Sequence, residues 1–298
     1  MLIDELINYC DNQYSSQDTK HLCDNCNHPY ECSGSCKDCL KQIHYPEKNP
    51  YGKKDYDCDN LINFYVCDYS YKYASEILYL MRKSKLLPDI QDYKIVSLGC
   101  GCCPDLMAFE EYVRKSKKNK SIKYFGVDRN EHWDFVHKAI KKYCINNNIS
   151  VKFFYKDIIQ YFNEGKKIKN ANVLIMQYVI SYFYNTRQIR KIENFFDAIV
   201  DQILSVKSKN DPFVILISDV NSSRRGRDFF ERLYFKIKEA GYKCTFSKFY
   251  FNYRIVNDNQ RYGNMHLSND ILFNMPDQIN KYDPWTKCSS AQMIIEIE

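Results

Sequence analysis

From residue 94 onward, short apolar runs alternate with longer amphipathic stretches, and this alternation limits the chain to few architectures. The runs at 94–99 (KIVSLG), 123–128 (KYFGVD), 151–156 (VKFFYK), 173–178 (VLIMQY) and 213–219 (FVILISD) have the length and content of buried strands. Residues 104–115, 132–145, 189–206 and 228–240 instead repeat their apolar positions at helical spacing. Five β–α alternations imply an α/β fold, a doubly wound parallel sheet with helices on both faces. Two further runs, 243–251 and 293–297, lack a clear helix between them and are expected to close the sheet as an antiparallel pair.

Composition enters through an uneven distribution. Residues 1–70 carry 6 Lys/Arg against 12 Asp/Glu, whereas residues 71–298 carry the other 37 against 25. Eight of the 14 cysteines lie at or before Cys67. Two regimes in one chain predict an amino-terminal module over 1–70 and a large basic domain over 71–298. The longest apolar stretch, 173–184, is too short for a membrane span and is broken by Gln177 and Ser181. The first residues carry acid where a signal peptide needs base, so a cytoplasmic location without membrane association is expected. Cysteines in that compartment are thiols or metal ligands rather than a disulfide framework.

Cys23-x2-Cys26 and Cys36-x2-Cys39 form two CxxC pairs, with Cys32 between them and Cys58 and His44 following. A two-residue spacer lets two thiolates reach one ion from a single tight turn. A polar segment with so little to bury gains folding free energy from such an ion. The expected ligands are Cys23, Cys26, Cys32, Cys36, Cys39, His44 and Cys58, enough for one or two zinc ions.

The loop after the first run reads Ser97-Leu98-Gly99-Cys100-Gly101-Cys102-Cys103-Pro104-Asp105. Its glycines fall where the chain must turn tightly and let a ligand approach the backbone. Asp128 ends the second run and Asp157 follows the third. Together with the strand order, these residues resemble the class I S-adenosylmethionine-dependent methyltransferases, a Rossmann-like family whose seven-stranded sheet ends in a reversed strand. The resemblance covers about residues 94–298. It implies S-adenosylmethionine as cofactor, held by Ser97, Gly99, Cys100, Gly101, Asp105, Asp128, Arg129, Asp157 and Gln177. Asp128 would accept the ribose hydroxyls and Asp157 would meet the adenine amine. Ser97 stands where many members have an acid, and Cys103 replaces a common glycine. The family's catalytic motifs follow the fourth strand, which here offers Gln177, Tyr178 and Tyr182. No Pro-Pro-aromatic or Pro-Cys motif occurs there, which disfavours DNA amine and cytosine-C5 methylation.

A second resemblance is weaker. Cys32-x3-Cys36-x2-Cys39 matches the cluster triad of radical S-adenosylmethionine enzymes, but Asp38 replaces the usual aromatic residue and eight βα repeats are lacking. The methyl acceptor is open between RNA and protein. Basic clusters at 114–123, 187–191 and 224–227 suit phosphate contacts, with Arg224, Arg225 and Arg227 at the carboxyl edge of the sheet. About forty residues, 252–290, intervene where a hairpin would suffice, and they read as an insertion serving as a lid. The competing reading is a non-catalytic methyltransferase-like binding protein with structural zinc.

Overall fold

The structure, a computed structural model, describes residues 1–14, 35–116, 120–165, 167–208, 211–223, 225–253 and 260–298. Its centre is the alternating part of the chain. Strands β1 (Asp92–Leu98), β2 (Ser121–Asp128), β3 (Ile149–Tyr155), β4 (Val173–Gln177) and β5 (Phe213–Val220) are parallel neighbours in the order β3-β2-β1-β4-β5. Three more strands, β6 (Cys244–Tyr250), β7 (Asn264–Met265) and β8 (Ser290–Ile297), complete the sheet on the β5 side as β8-β6-β7. β8 runs antiparallel to both β5 and β6, the reversed last strand that the resemblance implied.

The sheet has eight strands rather than seven. The extra one, β7, comes from the segment between β6 and β8 and pairs parallel to β6 through Phe249 and Tyr250. Gly263 precedes it at φ +78°, and a Cβ there would lie 2.3 Å from the Lys248 carbonyl oxygen. Only glycine lets the backbone approach β6 that closely. A two-residue strand has no periodicity to read.

Alternate residues of each strand supply two cores. Ile95, Tyr124, Ile175, Leu216 and Ile294 face one, packed by α1 (Leu2–Gln13), α3 (Asp59–Met81), α4 (Pro104–Ser116) and α5 (Asp134–Asn146). Val96, Val127, Met176, Ile217 and Met293 face the other, covered by α6 (Ile158–Asn163), α7 (Ile180–Asn185), α8 (Ile192–Gln202) and α9 (Phe230–Glu239). A shorter helix, α2 (Cys36–His44), packs on α3. Among the described residues no helix is long and apolar enough to cross a membrane.

The boundary expected at residue 70 falls inside α3. This 23-residue helix is buried almost all round, its polar groups included. Leu2, Ile3, Leu6, Ile7 and Cys10 of α1 join the same core as Leu106 and Phe109 of α4. The described amino-terminal helices α1 and α2 thus pack on α3, and α1 also packs on α4 and α5. Charge composition signalled a change of surface, not a break in the core.

α3 also buries charge. Asp68 is 6% exposed, and burial pushes its carboxyl up to about 7 from 3.8, with Lys37 and Lys72 opposing and Asp283 adding to the rise. A raised folded-state pKa means that stability is full below about pH 4 and is lost as pH rises through about 7. Asp68→Asn should therefore raise stability at pH 8 by about 2 kcal/mol or more, with the gain shrinking towards pH 5. Urea unfolding at the two pH values checks it. An equal effect at both would place the origin elsewhere.

Candidate functional site at the carboxyl ends of the parallel strands

The sheet order reverses direction between β1 and β4, and open α/β sheets bind ligands at such a switch point. The loop leaving β1 lies there. Gly99 has φ +71°, and a Cβ on it would stand 2.8 Å from Val179 Cγ2. Gly101 has φ +47°, and a Cβ there would meet Trp133 at 3.8 Å and nothing closer among the described residues. The loop is tied to the next strand end. Gly99 N–H donates to the Val127 carbonyl at 2.7 Å, and Gly101 N–H donates to Asp128 Oδ2 at 2.9 Å. Asp128 Oδ1 accepts from Asn130 N–H at 2.9 Å. Burial raises the Asp128 pKa although these two N–H groups favour its charge. Each carboxylate oxygen keeps a lone pair for another donor.

The remaining cofactor candidates divide. Arg129 pairs with Asp55 and lies 5.0 Å from the Tyr182 ring centre. Asp157 is exposed and caps α6, its Oδ1 accepting from Ile159 N–H at 3.0 Å and Gln160 N–H at 3.1 Å. Ser97 and Asp105 are turned into the protein, at 3% and 2% exposure. Asp105 Oδ1 accepts from Tyr124 O–H at 2.9 Å, and burial pushes its carboxyl up to about 6. The Ser97 and Asp105 side chains are both buried, at the start and end of the loop. Cys100 is likewise buried.

Past β4, Gln177 Nε2 donates to the Tyr73 carbonyl at 2.9 Å, which fixes its amide and leaves Oε1 buried with no hydrogen-bond partner among the described residues. Tyr178 has φ +57°, unusual for a side chain of this size. Its hydroxyl donates to Glu76 Oε2 at 2.9 Å and accepts from Lys72 Nζ at 3.1 Å. Glu76 Oε1 accepts from Ser289 and Ser290 N–H at 2.9 and 3.2 Å. Lys72 also lies 4.6 Å from the Trp285 ring centre. Burial drives the Tyr178 pKa well up, so the group keeps its proton and points it at Glu76. Sequence reasoning missed Lys72 and Glu76. Their signal was two charges, four apart, inside an otherwise uncharged stretch of α3. Asp219 finishes this edge, accepting from Ile180 and Ser181 N–H at 2.9 and 3.0 Å.

Of the expected metal ligands, Cys23, Cys26 and Cys32 lie outside the described residues. Cys36 and Cys39 are in the first turn of α2, and buried Cys58 immediately precedes α3. His44 is occupied by tyrosines: Nε2 is 2.9 Å from Tyr56 Oη and Nδ1 3.2 Å from Tyr69 Oη. Burial pulls its pKa down to about 4. A different set comes together unexpectedly. Cys100, Cys103 and His137 are all buried, with ligand atoms within 4.8 Å of one another.

Of the basic cluster, Arg224 lies outside the described residues. Arg227 is 4% exposed, bonded to Asn221 and 5.4 Å from the Tyr262 ring centre. Arg225 pairs with Glu47. The expected phosphate contact of Arg227 does not hold, because its guanidinium is packed inside the protein.

No protein-family model and no curated protein matches the chain. Solved structures similar to it include the plantazolicin methyltransferase BpumL in complex with SAH and a triazolic desmethylPZN analog. That match has 15% identity and a TM-score of 0.45, covering 88% of this chain and 98% of that one. Magnesium protoporphyrin IX methyltransferase (ChlM) from Synechocystis PCC 6803, with bound SAM, matches at 8% identity and a TM-score of 0.41 over 89% and 97%. An rRNA methylase from Streptococcus thermophilus matches at 9% identity and 0.36 over 76% and 93%.

Proposed function

We propose that this chain is an S-adenosylmethionine-dependent methyltransferase with zinc in its amino-terminal part. One observation carries the reading. The glycine loop sits at the switch point of a sheet with a reversed last strand, and its Gly101 N–H is bonded to the carboxylate ending β2. The residues present fit the cofactor. Gly101 leaves the backbone open, Asp128 keeps acceptor capacity for two ribose hydroxyls, and Gln177 Oε1 is a buried acceptor awaiting a donor. Gly99, Cys100 and Gly101 would hold the cofactor by backbone, with Arg129 and Asp157 at its adenosine end. When bound, S-adenosylmethionine supplies an electrophilic methyl group on a sulfonium.

The chain itself orients and encloses. Gln177 offers a fixed carbonyl oxygen beside the β4 end, and Tyr182 adds a ring against Arg129. Tyr178 acts as a positioning residue, its hydroxyl held between Lys72 and Glu76. Trp285, from the insertion, closes over Lys72, which supports the lid reading of that segment. Calorimetric titration with S-adenosylhomocysteine tests the assignment. Binding at micromolar concentration supports it, and no binding at millimolar concentration leaves the non-catalytic binding protein. Retention of RNA at physiological salt would assign a nucleic-acid acceptor, and its absence a protein or small molecule.

One or two zinc ions would draw their four ligands each from Cys36, Cys39, Cys58, Cys23, Cys26 and Cys32. His44 is the poorest candidate, since both ring nitrogens are engaged. Cys39→Ser should release zinc and expose the amino-terminal segment to protease, because metal binding is coupled to folding there. Zinc-free reduced protein that resists protease equally well would remove this site.

A further inference from the structure

We propose that Cys100, Cys103 and His137 form a further site for a soft divalent cation such as zinc, behind the glycine loop, with ligands different from the amino-terminal set proposed above. One ligand atom of each residue lies within 4.8 Å of the other two, and all three residues are buried. Cys100 Sγ is 4.0 Å from His137 Nε2. Tetrahedral zinc, with Zn–S of about 2.3 Å and Zn–N of about 2.0 Å, needs donors about 3.5–3.8 Å apart, so small inward shifts suffice. A fourth donor, an oxygen, stands beside them, and it need only move away from His137 Nε2 by about half an ångström to complete a tetrahedron. The Gly101 carbonyl oxygen is 2.7 Å from His137 Nε2 and 3.8 Å from Cys103 Sγ.

The surroundings are arranged for ligation rather than for packing alone. His137 Nδ1 is 2.9 Å from Tyr155 Oη, which donates to Asp134 Oδ1 at 3.2 Å. Metal-bound histidines are held by such partners on the far nitrogen. The imidazole stacks on Phe153 with centroids 3.9 Å apart and planes 8° from parallel. Gly126 of β2 makes the room, since a Cβ there would stand 2.8 Å from Cys100 Sγ. Cys103 holds φ +59°, a costly conformation for a residue with a side chain.

On binding, the two thiols release their protons to water and the cation coordinates two thiolates, with no change of oxidation state. The ring proton moves from Nε2, where it meets the Gly101 carbonyl, to Nδ1, which then donates to Tyr155 Oη, and Nε2 takes the cation through its freed lone pair. This site does not depend on the methyltransferase reading, because neither cofactor nor acceptor takes part.

Cobalt(II) titrated into the reduced, chelator-stripped full-length protein is the test. Cys100→Ser and Cys103→Ser should each lower bound cobalt by one equivalent and remove part of the thiolate-to-cobalt charge-transfer absorption. Tyr155→Phe keeps every donor and should weaken one equivalent about 10- to 100-fold. Wild-type stoichiometry in both folded serine variants overturns the proposal. Should the serine variants unfold, Tyr155→Phe decides, and an unchanged cobalt affinity there overturns it as well.

Discussion

Asp128→Ala is expected to weaken S-adenosylhomocysteine binding at least tenfold in a calorimetric titration. Two charge-assisted bonds to ribose hydroxyls, at about 1.5–3 kcal/mol each, exceed the 1.4 kcal/mol that a factor of ten requires. The structure adds a cost that sequence alone would not assign. The same carboxylate accepts from Gly101 and Asn130 N–H, so its loss also loosens the loop. Asp128→Asn separates the two roles, since its amide oxygen can still serve one backbone donor while the charge is gone. Affinity should fall in both variants, and stability should fall more in Ala than in Asn. Wild-type affinity in either would remove the ribose assignment.

Glu76→Ala should cost about 3–5 kcal/mol of stability, the largest single loss expected in this chain. Lys72 and Glu76 have side chains 5% and 0% exposed, and their charged atoms lie 3.6 Å apart. Truncating Glu76 strands a buried ammonium and removes the acceptor of Tyr178, Ser289 and Ser290. The double variant Lys72→Met with Glu76→Leu should recover most of the loss, because an apolar pair of similar volume avoids burying charge. Denaturant unfolding of the three proteins measures it. A loss below about 1 kcal/mol in Glu76→Ala would mean that the network is not a support of the β4 end.

The runs read as strands at 94–99, 123–128, 151–156, 173–178 and 213–219 fall on β1 to β5, because hydrophobic period is a local property. Helix α3 runs unbroken from Asp59 to Met81, across the expected boundary. Residue 70 looked like a boundary because charge and cysteine content change there, and composition does not report which surfaces pack together. β7 escaped notice because two residues carry no pattern.

The site divides in the same way. Gly99, Gly101 and Asp128 were legible because a turn needing positive φ and an acid at a strand end are written in contiguous residues. The burial of Ser97 and Asp105, the clasp of Lys72 and Glu76 on Tyr178, and the meeting of His137 with Cys100 and Cys103 were not. Each joins residues separated by up to about a hundred positions, and nothing in the local pattern says which partners the sheet order will bring together. The sequence by itself determined the alternating strands, the glycine loop and the acid that ends β2. Only the tertiary structure decided which buried charges and thiols face one another, because that depends on packing between elements rather than on the period within them.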